Sequence, residues 1–335
     1  MIGSAVAALT PPGTHPAVLW GIILGAEIPD IEFVVGYWGG RAGYLTAHRG
    51  PTHGVLSLLL EAGVIAGGLT VIAPQAPFWT VYWWSLLGCL SHVAFDVGND
   101  YGTKVLWPFS RQRIALDLIP IIDFWVLGAF AVGWAGSAVW PVNRRAIFAV
   151  AWILIAAYWL LRFALRRKAY RLVAERFDLS EAHGDAAASG DGWIPERVTV
   201  HPTLLSLNAW RYVVQVSGAY LTGRVWAFDG TVSEPQRARN DMDKVVKASL
   251  QAQMVDAFAQ WVRKPRVQVD RIDNLYRVKW TDMRYEMDDY SPFTAYAWLD
   301  DELTLVDEGL ASQSPPTRDK TRLRRRLRYE MGRKD

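Results

Sequence analysis

Histidine and carboxylate side chains that could bind a divalent metal ion are concentrated in three short segments between residues 30 and 96. Imidazole nitrogens and carboxylate oxygens are common ligands of zinc, manganese and iron in proteins. The single cysteine, Cys89, excludes an internal disulfide and a cysteine-rich zinc finger. We therefore predict a site for a divalent ion, zinc by preference and otherwise manganese or iron. The predicted ligands are Asp30, His48, His53, His92 and Asp96, with Glu32 beside them.

His92 and Asp96 are the most regularly spaced of these residues. A separation of four positions places both side chains on one face of a helix, where they can bind one ion together. The alternative is a polar pair that only forms an internal hydrogen bond. Because ionisable groups are costly within apolar segments and usually line a cavity or take part in chemistry, we favour metal ligands.

The segment from His48 to His53 predicts a bend that brings two imidazoles together. Gly50 and Pro51 exclude a helical conformation at His48. Thr52 is a candidate N-cap, which would place His53 in the first turn of the following helix. We therefore expect both imidazoles to point toward one metal ion.

The acidic pair after Pro29 is the source of the predicted catalytic residues. Asp30 and Glu32 are two positions apart, so they do not share a face of a helix. We expect one carboxylate to bind the metal and the other to orient a histidine or to act as a general base. The alternative is an ordinary acidic turn at the end of a helix.

Three further residues are predicted to support the site. Arg49 suits an anionic group of a substrate, and it equally suits an anchor at the inner leaflet of a membrane. Asp123 and Glu61 could each orient a ligand or pack as a polar group. The sequence contains no phosphate-binding loop, dinucleotide motif or nucleophile elbow, which excludes the enzyme classes that depend on them.

Long apolar runs surround these residues and predict the elements that position them. Four of the runs are close to the about 20 residues that a membrane-spanning helix needs, and Trp and Tyr residues cluster toward their ends. We therefore predict an α-helical multi-span membrane bundle of five to six apolar helices. The runs cover residues 1–9, 16–37, 54–73, 78–97, 118–140 and 146–165.

The distribution of basic residues predicts the orientation of this bundle. The cluster from Arg162 to Arg171 follows the last run, so that end is expected in the cytoplasm. Counting back through alternating spans leaves only Arg144 and Arg145 on the opposite side. The same count places all predicted ligands near the inner membrane face, although they were not used to set the orientation.

The second half of the chain has a different composition and predicts a small cytoplasmic α+β domain. Alternating runs predict strands at 197–200, 210–216, 220–228, 267–270, 276–280 and 293–299, and residues 242–262 predict one amphipathic helix. The predicted organisation is a membrane-embedded domain with the metal site (1–172), a linker (173–194), the α+β domain (195–312) and a basic tail (313–335). Such a tail is expected to contact solvent or lipid, and specific nucleic-acid binding is not expected.

Several short motifs occur in a fixed order along the chain. They are Pro29-Asp30-x-Glu32, His48-Arg49-Gly50-x-Thr52-His53, His92-x-x-x-Asp96, Asn99-x-Tyr101-Gly102-Thr103, Pro108-Phe109-Ser110, Trp210-Arg211 and Asp282-x-Arg284-Tyr285. This set resembles the YdjM/YfhP-type inner-membrane metal-dependent hydrolases, part of which are described as LexA-binding. The resemblance implies a multi-span protein with a metal-binding, hydrolytic site. Members usually begin with an Asp-x-x-Thr-His segment, so a further histidine ligand is expected upstream of Met1 or is missing.

Two classes of function fit these observations. The first is a membrane-bound hydrolase that contacts membrane lipids and acts at the cytoplasmic face on an amphiphilic ester or phosphoester. The second is a non-catalytic membrane regulator or scaffold, with a structural metal site and a soluble domain that binds a protein partner. A transporter is less favoured because the acidic residues are expected at one membrane face, not at the bilayer midplane.

Overall fold

The computed structural model describes residues 1–178, 197–286, 291 and 293–310. Within them the chain forms two compact units. The helical unit contains residues 1–38 and 47–163, and every predicted site residue lies in it. The second unit contains residues 39–46 and the chain from Ala164 onward, and its described part is built mainly from β-strands.

Seven α-helices form from the apolar runs of the first 176 residues, and short turns separate them. The helices are α1 (Ile2–Ala7), α2 (Pro16–Gly25), α3 (Phe33–Ala47), α4 (Val55–Ile72), α5 (Phe78–Gly98), α6 (Phe124–Val139) and α7 (Arg144–Arg176). Two 3-10 turns, Ile28–Glu32 and Pro51–His53, begin near prolines and carry predicted site residues. Gly40 interrupts α3 with a left-handed φ of 64°, a conformation that glycine adopts without strain.

The lengths of these helices bear on the predicted number of membrane spans. Among the described residues, α4 and the segment Pro141–Arg176 are long and apolar enough to cross a membrane, whereas α2 and α6 are apolar but shorter. The run at 16–37 does not form one helix, because α2 ends at Gly25 and the turn containing Pro29 follows. The helical region is therefore confirmed, and five to six spanning helices stay a prediction.

Helices α2 and α5 approach each other closely through glycines. A Cβ atom at Gly25 would collide with the carbonyl of Ser85, and one at Gly88 would collide with the carbonyl of Ile22. Small residues that let helix backbones approach in this way are typical of helix packing in membranes. This close approach brings the carbonyl group of Ala26, the residue after α2, within hydrogen-bonding distance of His92 in α5.

The hairpin of α6 and α7 is held by a buried carboxylate. Asp123 is the N-cap of α6, and its Oδ1 accepts hydrogen bonds from the backbone N–H groups of Trp125 and Val126 at 2.9 and 3.0 Å. Its Oδ2 accepts a hydrogen bond of 2.7 Å from the hydroxyl of Tyr158 in α7. Asp123 therefore stabilises the fold at this position.

The second unit contains two antiparallel sheets. The first has the order β1-β2-β3-β4, with β5 also paired to β3, and the second has the order β6-β7-β8-β9. The strands are β1 (Arg197–Pro202), β2 (Ala209–Val216), β3 (Ala219–Trp226), β4 (Thr231–Val232), β5 (Gln236–Arg239), β6 (Pro265–Ile272), β7 (Leu275–Asp282), β8 (Thr294–Leu299) and β9 (Leu305–Leu310). The C-terminal part of α7 packs Ala169 and Val173 against Trp210 and Tyr212 of the first sheet.

All six predicted strands are present in this unit, and β4, β5 and β9 were not predicted. The single helix predicted at 242–262 is wrong, because the chain forms α8 (Lys244–Ser249) and α9 (Gln253–Trp261). The backbone leaves the helical conformation at Ala252, where ψ is 120°. Both helices bury apolar residues, and the hydroxyl of Ser249 accepts a hydrogen bond of 3.0 Å from Trp280 of β7.

The described residues cover the predicted domain boundaries only in part. Helix α7 continues to Arg176, past the expected end of the membrane domain at residue 172. Most of the predicted linker and the basic tail at 313–335 lie outside the part of the chain that the structure describes.

The glycine crossing predicts opposite effects for two substitutions of the same kind. Gly88→Ala overpacks the contact with Ile22, so we expect it to lower the free energy of unfolding by about 1–3 kcal/mol. Gly67 in α4 has no atom within 4 Å of an added Cβ, so Gly67→Ala should preserve or raise stability. Thermal unfolding of the two variants in the same detergent measures this difference. Equal melting temperatures would contradict the close crossing.

Candidate metal centre

Four side chains of the helical unit converge on one point. Their ligand-type atoms lie within 4.8 Å of one another, and they form what we call the cage: Asp30, His53, His92 and Asp96. Oδ2 of Asp96 lies 3.1 Å from Nε2 of His53 and 3.4 Å from Nε2 of His92. Oδ1 of Asp30 lies 3.4 and 3.5 Å from the same two nitrogens.

The spacing of these atoms matches that of ligands around a metal ion. Ligands at about 2.0–2.2 Å from a tetrahedral zinc ion are separated from one another by about 3.3–3.6 Å. Three of the four measured separations in the cage, 3.4, 3.4 and 3.5 Å, fall in this interval, and the fourth is 3.1 Å. The residues therefore fit a divalent ion without rearrangement of the helices.

Among the described residues, three of the four cage residues present a buried polar atom that has no hydrogen-bond partner. These atoms are Nε2 of His53, Nε2 of His92 and Oδ2 of Asp96. An unsatisfied buried polar atom costs about 1–3 kcal/mol, so three of them around one point need a common partner. A divalent cation would satisfy all three.

Each buried ligand is held by a second contact that leaves its other atom directed into the cage. Nδ1 of His92 donates to the carbonyl of Ala26 at 2.8 Å, which leaves the lone pair of Nε2 for a metal. Nδ1 of His53 lies 3.3 Å from Oε2 of Glu32. Oδ1 of Asp96 accepts from Arg49 at 2.9 Å, so Oδ2 remains available.

Glu32 organises the turn that carries His53. Its Oε1 accepts hydrogen bonds from the backbone N–H of Arg49 at 2.6 Å and from Nδ1 of His48 at 3.0 Å. Its Oε2 accepts a short hydrogen bond from the hydroxyl of Thr52. Both oxygens of the buried Glu32 carboxylate thus accept hydrogen bonds from the segment around His53, whereas Oδ1 of Asp30 faces the imidazoles of the cage.

Arg49 also has an internal role. Besides Asp96, its guanidinium donates to Oδ1 of Asn99 at 2.9 Å and lies 4.5 Å above the ring of Tyr101. Arg49 is buried, with a left-handed φ of 51°. These contacts direct it to a ligand carboxylate, away from a role as an exposed anchor. Asn99 and Tyr101 were not predicted as site residues, although the Asn99-x-Tyr101 motif contained the signal.

The remaining predicted residues lie outside the cage. His48 joins Asp30 and Glu32 in a second group of metal-type ligands, and it does not belong to the cage. Glu61 lies in α4, and its buried Oε2 has no hydrogen-bond partner within the part of the chain that the structure describes. Asp123 is occupied as a helix cap, as described above. The prediction of Thr52 as the N-cap of the following helix is wrong, because α4 has Gly54 at its N-cap and Thr52 lies in the 3-10 turn Pro51–His53.

The electrostatics of the metal-free site favour a proton where the ion would bind. Burial lowers the pKa of His53, but the carboxylates of Asp30, Asp96 and Glu32 beside the imidazole outweigh burial and raise this pKa to about 10. Burial raises the pKa of Glu32, and hydrogen bonds from His48 and His53 outweigh it and lower this pKa to about 2. The carboxylates are therefore charged at neutral pH and able to attract a cation.

The fold and the cage together define a class of protein, a helical unit with membrane-type helices and a metal-type site joined to an antiparallel α/β unit. A model of the YdjM inner membrane protein family matches residues 1–169, and a model of the YfhP C-terminal alpha/beta plait domain matches residues 244–313. The chain belongs to the YdjM inner membrane protein family. The family resemblance predicted from the motifs is thus confirmed.

A relative from Bacillus subtilis is similar to this chain over both units. The chain is 27% identical over 299 residues to "Uncharacterized protein YfhP" of Bacillus subtilis (strain 168), which covers 88% of this chain and 85% of that protein. No solved structure matches the chain.

Removal of one buried ligand tests the cage directly. Loss of a residue that only orients a metal ligand typically weakens metal binding about 10–100-fold. Because His92 is itself a proposed ligand, we expect His92→Ala to weaken metal binding by more than this. The matched control is His15→Asn, because His15 only caps α2 and asparagine can retain that cap. Metal analysis of the purified proteins gives the ion content per chain. Full metal content in His92→Ala would remove this residue from the ligands.

The protonation of His53 predicts a pH dependence of metal binding. Because the raised pKa keeps this imidazole protonated at neutral pH, a metal ion must displace the proton. The apparent affinity should therefore rise with pH, by up to about tenfold per pH unit for each proton released. Competition with a chelator at several pH values, corrected for the chelator's own protonation, measures it. An affinity that is constant between about pH 6 and pH 8 would contradict this expectation.

Proposed function

We propose that the protein is a membrane-bound, metal-dependent hydrolase whose cage binds a divalent cation, with zinc as the expected ion. The observation that supports the proposal is the convergence of three buried, unpartnered ligand atoms from His53, His92 and Asp96. Two histidines and one carboxylate form a ligand set that is typical of catalytic zinc sites. Membership of an inner membrane protein family supports the location.

The proposed location is a multi-pass arrangement with the C-terminal unit in the cytoplasm. The apolar part of α7 is followed by Arg166, Arg167, Lys168 and Arg171, as expected for the cytoplasmic end of a span. Exposed apolar side chains on α4, such as Leu60, Val64 and Val71, support lipid contact along that helix. Under this topology the cage lies near the inner membrane face.

Asp30 differs from the other cage residues in two respects that suit a catalytic role. Its side chain is 52% exposed, so the cage is accessible from this side. In the described part of the chain, the side chain of Asp30 contacts only the two imidazoles, whereas each other ligand is held by a second partner. A carboxylate that is free to move can exchange between binding and proton transfer.

The proposed reaction is hydrolysis of an amphiphilic ester or phosphoester. A bound divalent ion supplies Lewis acidity toward a water molecule and the ester group. His53, His92 and Asp96 would hold the ion, while Glu32 keeps the imidazole of His53 in position and Arg49 the carboxylate of Asp96. Asp30 accepts a proton from the attacking water and returns it to the leaving alcohol, so the water adds OH to one product and H to the other.

Substitution of Asp30 separates a catalytic site from a structural one. We expect Asp30→Asn to retain most of the metal, because three buried ligands remain, and to lose hydrolysis by about 10²–10⁴-fold. The matched control is Glu27→Gln, an exposed acidic residue of the preceding turn. Metal content is measured together with hydrolysis of p-nitrophenyl butyrate, p-nitrophenyl phosphate and extracted bacterial lipids.

Two outcomes would contradict the hydrolase. Loss of metal from Asp30→Asn would make Asp30 a fourth permanent ligand of a closed, structural site. Full metal content in the wild-type protein without hydrolysis of any of these substrates would favour a non-catalytic membrane regulator with a structural ion.

A further inference from the structure

The loop that follows α5 presents only positive charge to its surroundings. Backbone hydrogen bonds of 3.0 and 2.9 Å between Thr103 and Ile114 close a segment that we call the cationic loop, residues 103–114. It contains Lys104, Arg111 and Arg113 and no acidic residue. The nearest acidic residues along the chain, Asp100 and Asp117, are buried, with exposures of 3% and 2%.

The cationic loop is bonded to the segment that carries His53. The N–H of Lys104 donates to the carbonyl of Arg49 at 3.0 Å, and the N–H of Val55 donates to the carbonyl of Val105 at 2.9 Å. The guanidinium of Arg113 donates to the carbonyl of His48 at 2.9 Å. His48 and Arg49 precede His53 in the chain and Val55 follows it, so these contacts hold the loop beside the cage.

Two of the three cations are available to a ligand. In the described part of the chain, no acidic side chain pairs with Lys104 or Arg111. Lys104 is partly buried, and burial together with the charges of Arg113 and Arg111 lowers its pKa. Like charges held together without a counter-charge cost free energy, and a bound anion relieves that cost. By contrast, Arg49 is occupied by Asp96.

The same loop carries exposed apolar side chains. Phe109 is 77% exposed and Leu106 is 46% exposed, beside the cations. Apolar side chains next to basic ones are typical of segments at the headgroup level of a membrane. The loop is thus suited to a molecule with a phosphate group and an apolar part.

We infer that the cationic loop binds the phosphate group of the substrate, with Lys104 and Arg111 as the contacting residues, so that the substrate is a phosphoester. The inference rests on the proposed function and selects between the two substrate classes left open there. The phosphate can belong to a lipid headgroup or to a soluble phosphoester. Both sources share the charge that the loop recognises.

Phosphate binding by the full-length protein in a neutral detergent tests the inference without an activity assay. The probes are inorganic phosphate and dihexanoyl phosphatidic acid, titrated by calorimetry with and without zinc. The loop variant is Lys104→Gln/Arg111→Gln, and the matched control is Arg144→Gln/Arg145→Gln, which removes the same charge from exposed positions at the start of α7. The charge-retaining variant Lys104→Arg/Arg111→Lys detects effects of misfolding.

The loop variant should bind the probes at least about tenfold more weakly than the wild-type protein, because each lost charge-assisted hydrogen bond is worth about that factor. The control and the charge-retaining variant should keep the wild-type affinity within about threefold. Loop-dependent binding of both probes identifies phosphate itself as sufficient, and loop-dependent binding of phosphatidic acid alone identifies a lipid headgroup. Either result supports the inference.

The inference is overturned if neither probe binds the wild-type protein, or if the loop variant and the control bind equally. It is also overturned if the charge-retaining variant loses binding as completely as the loop variant. Metal analysis of the same samples keeps the two proposals apart. If the protein binds metal and its phosphate binding does not depend on the loop, the proposed hydrolase is retained and the anion site is rejected. If phosphate binding depends on the loop but the protein binds no metal, the anion site is supported and the metal-dependent hydrolase is rejected.

Discussion

The structure of the helical unit depends on holding buried polar atoms at one point without partners of their own. Water is scarce among apolar helices, so such atoms are costly unless a ligand satisfies them. The chain limits the cost by fixing the opposite atom of each side chain. The carbonyl of Ala26 holds His92, Glu32 holds His53, and Arg49 holds Asp96. The ligands are thereby oriented before an ion binds, which lowers the reorganisation that binding requires.

The glycine crossing and the two 3-10 turns serve this arrangement. Gly25 and Gly88 allow α2 to approach α5 so closely that a backbone carbonyl reaches His92. The turn at Ile28–Glu32 then directs the two carboxylates differently. Asp30 faces the cage, whereas Glu32 is hydrogen-bonded to the segment that carries His53. The glycine crossing and the two turns thus bring residues that are distant in the sequence to one point, and no single helix contains the site.

The sequence was informative where chemistry follows from local spacing. His92 and Asp96 share a helix face by periodicity alone, and the strand pattern identified six strands of the second unit. It could not separate His48 from His53, because a 3-10 turn decides which imidazole points inward. The sequence predicted that Asp123 could orient a ligand or pack as a polar group, but it could not show that the neighbouring backbone N–H groups bind this carboxylate as a helix cap. The sequence predicted that Arg49 contacts a substrate anion or anchors the chain at the membrane, but it could not show that Asp96 and Asn99 bind its guanidinium.

The charge balance of the site connects the cage to the cationic loop. Asp30, Glu32 and Asp96 are three carboxylates, and Arg49 contributes one positive charge among them. With neutral histidines, a divalent cation then leaves the centre without net charge. A neutral centre does not by itself attract an anion over distance, so recognition of an anionic substrate needs positive charge outside the cage. In the proposed reaction the cationic loop would supply that charge, because its bonds to the segment around His53 hold it beside the cage.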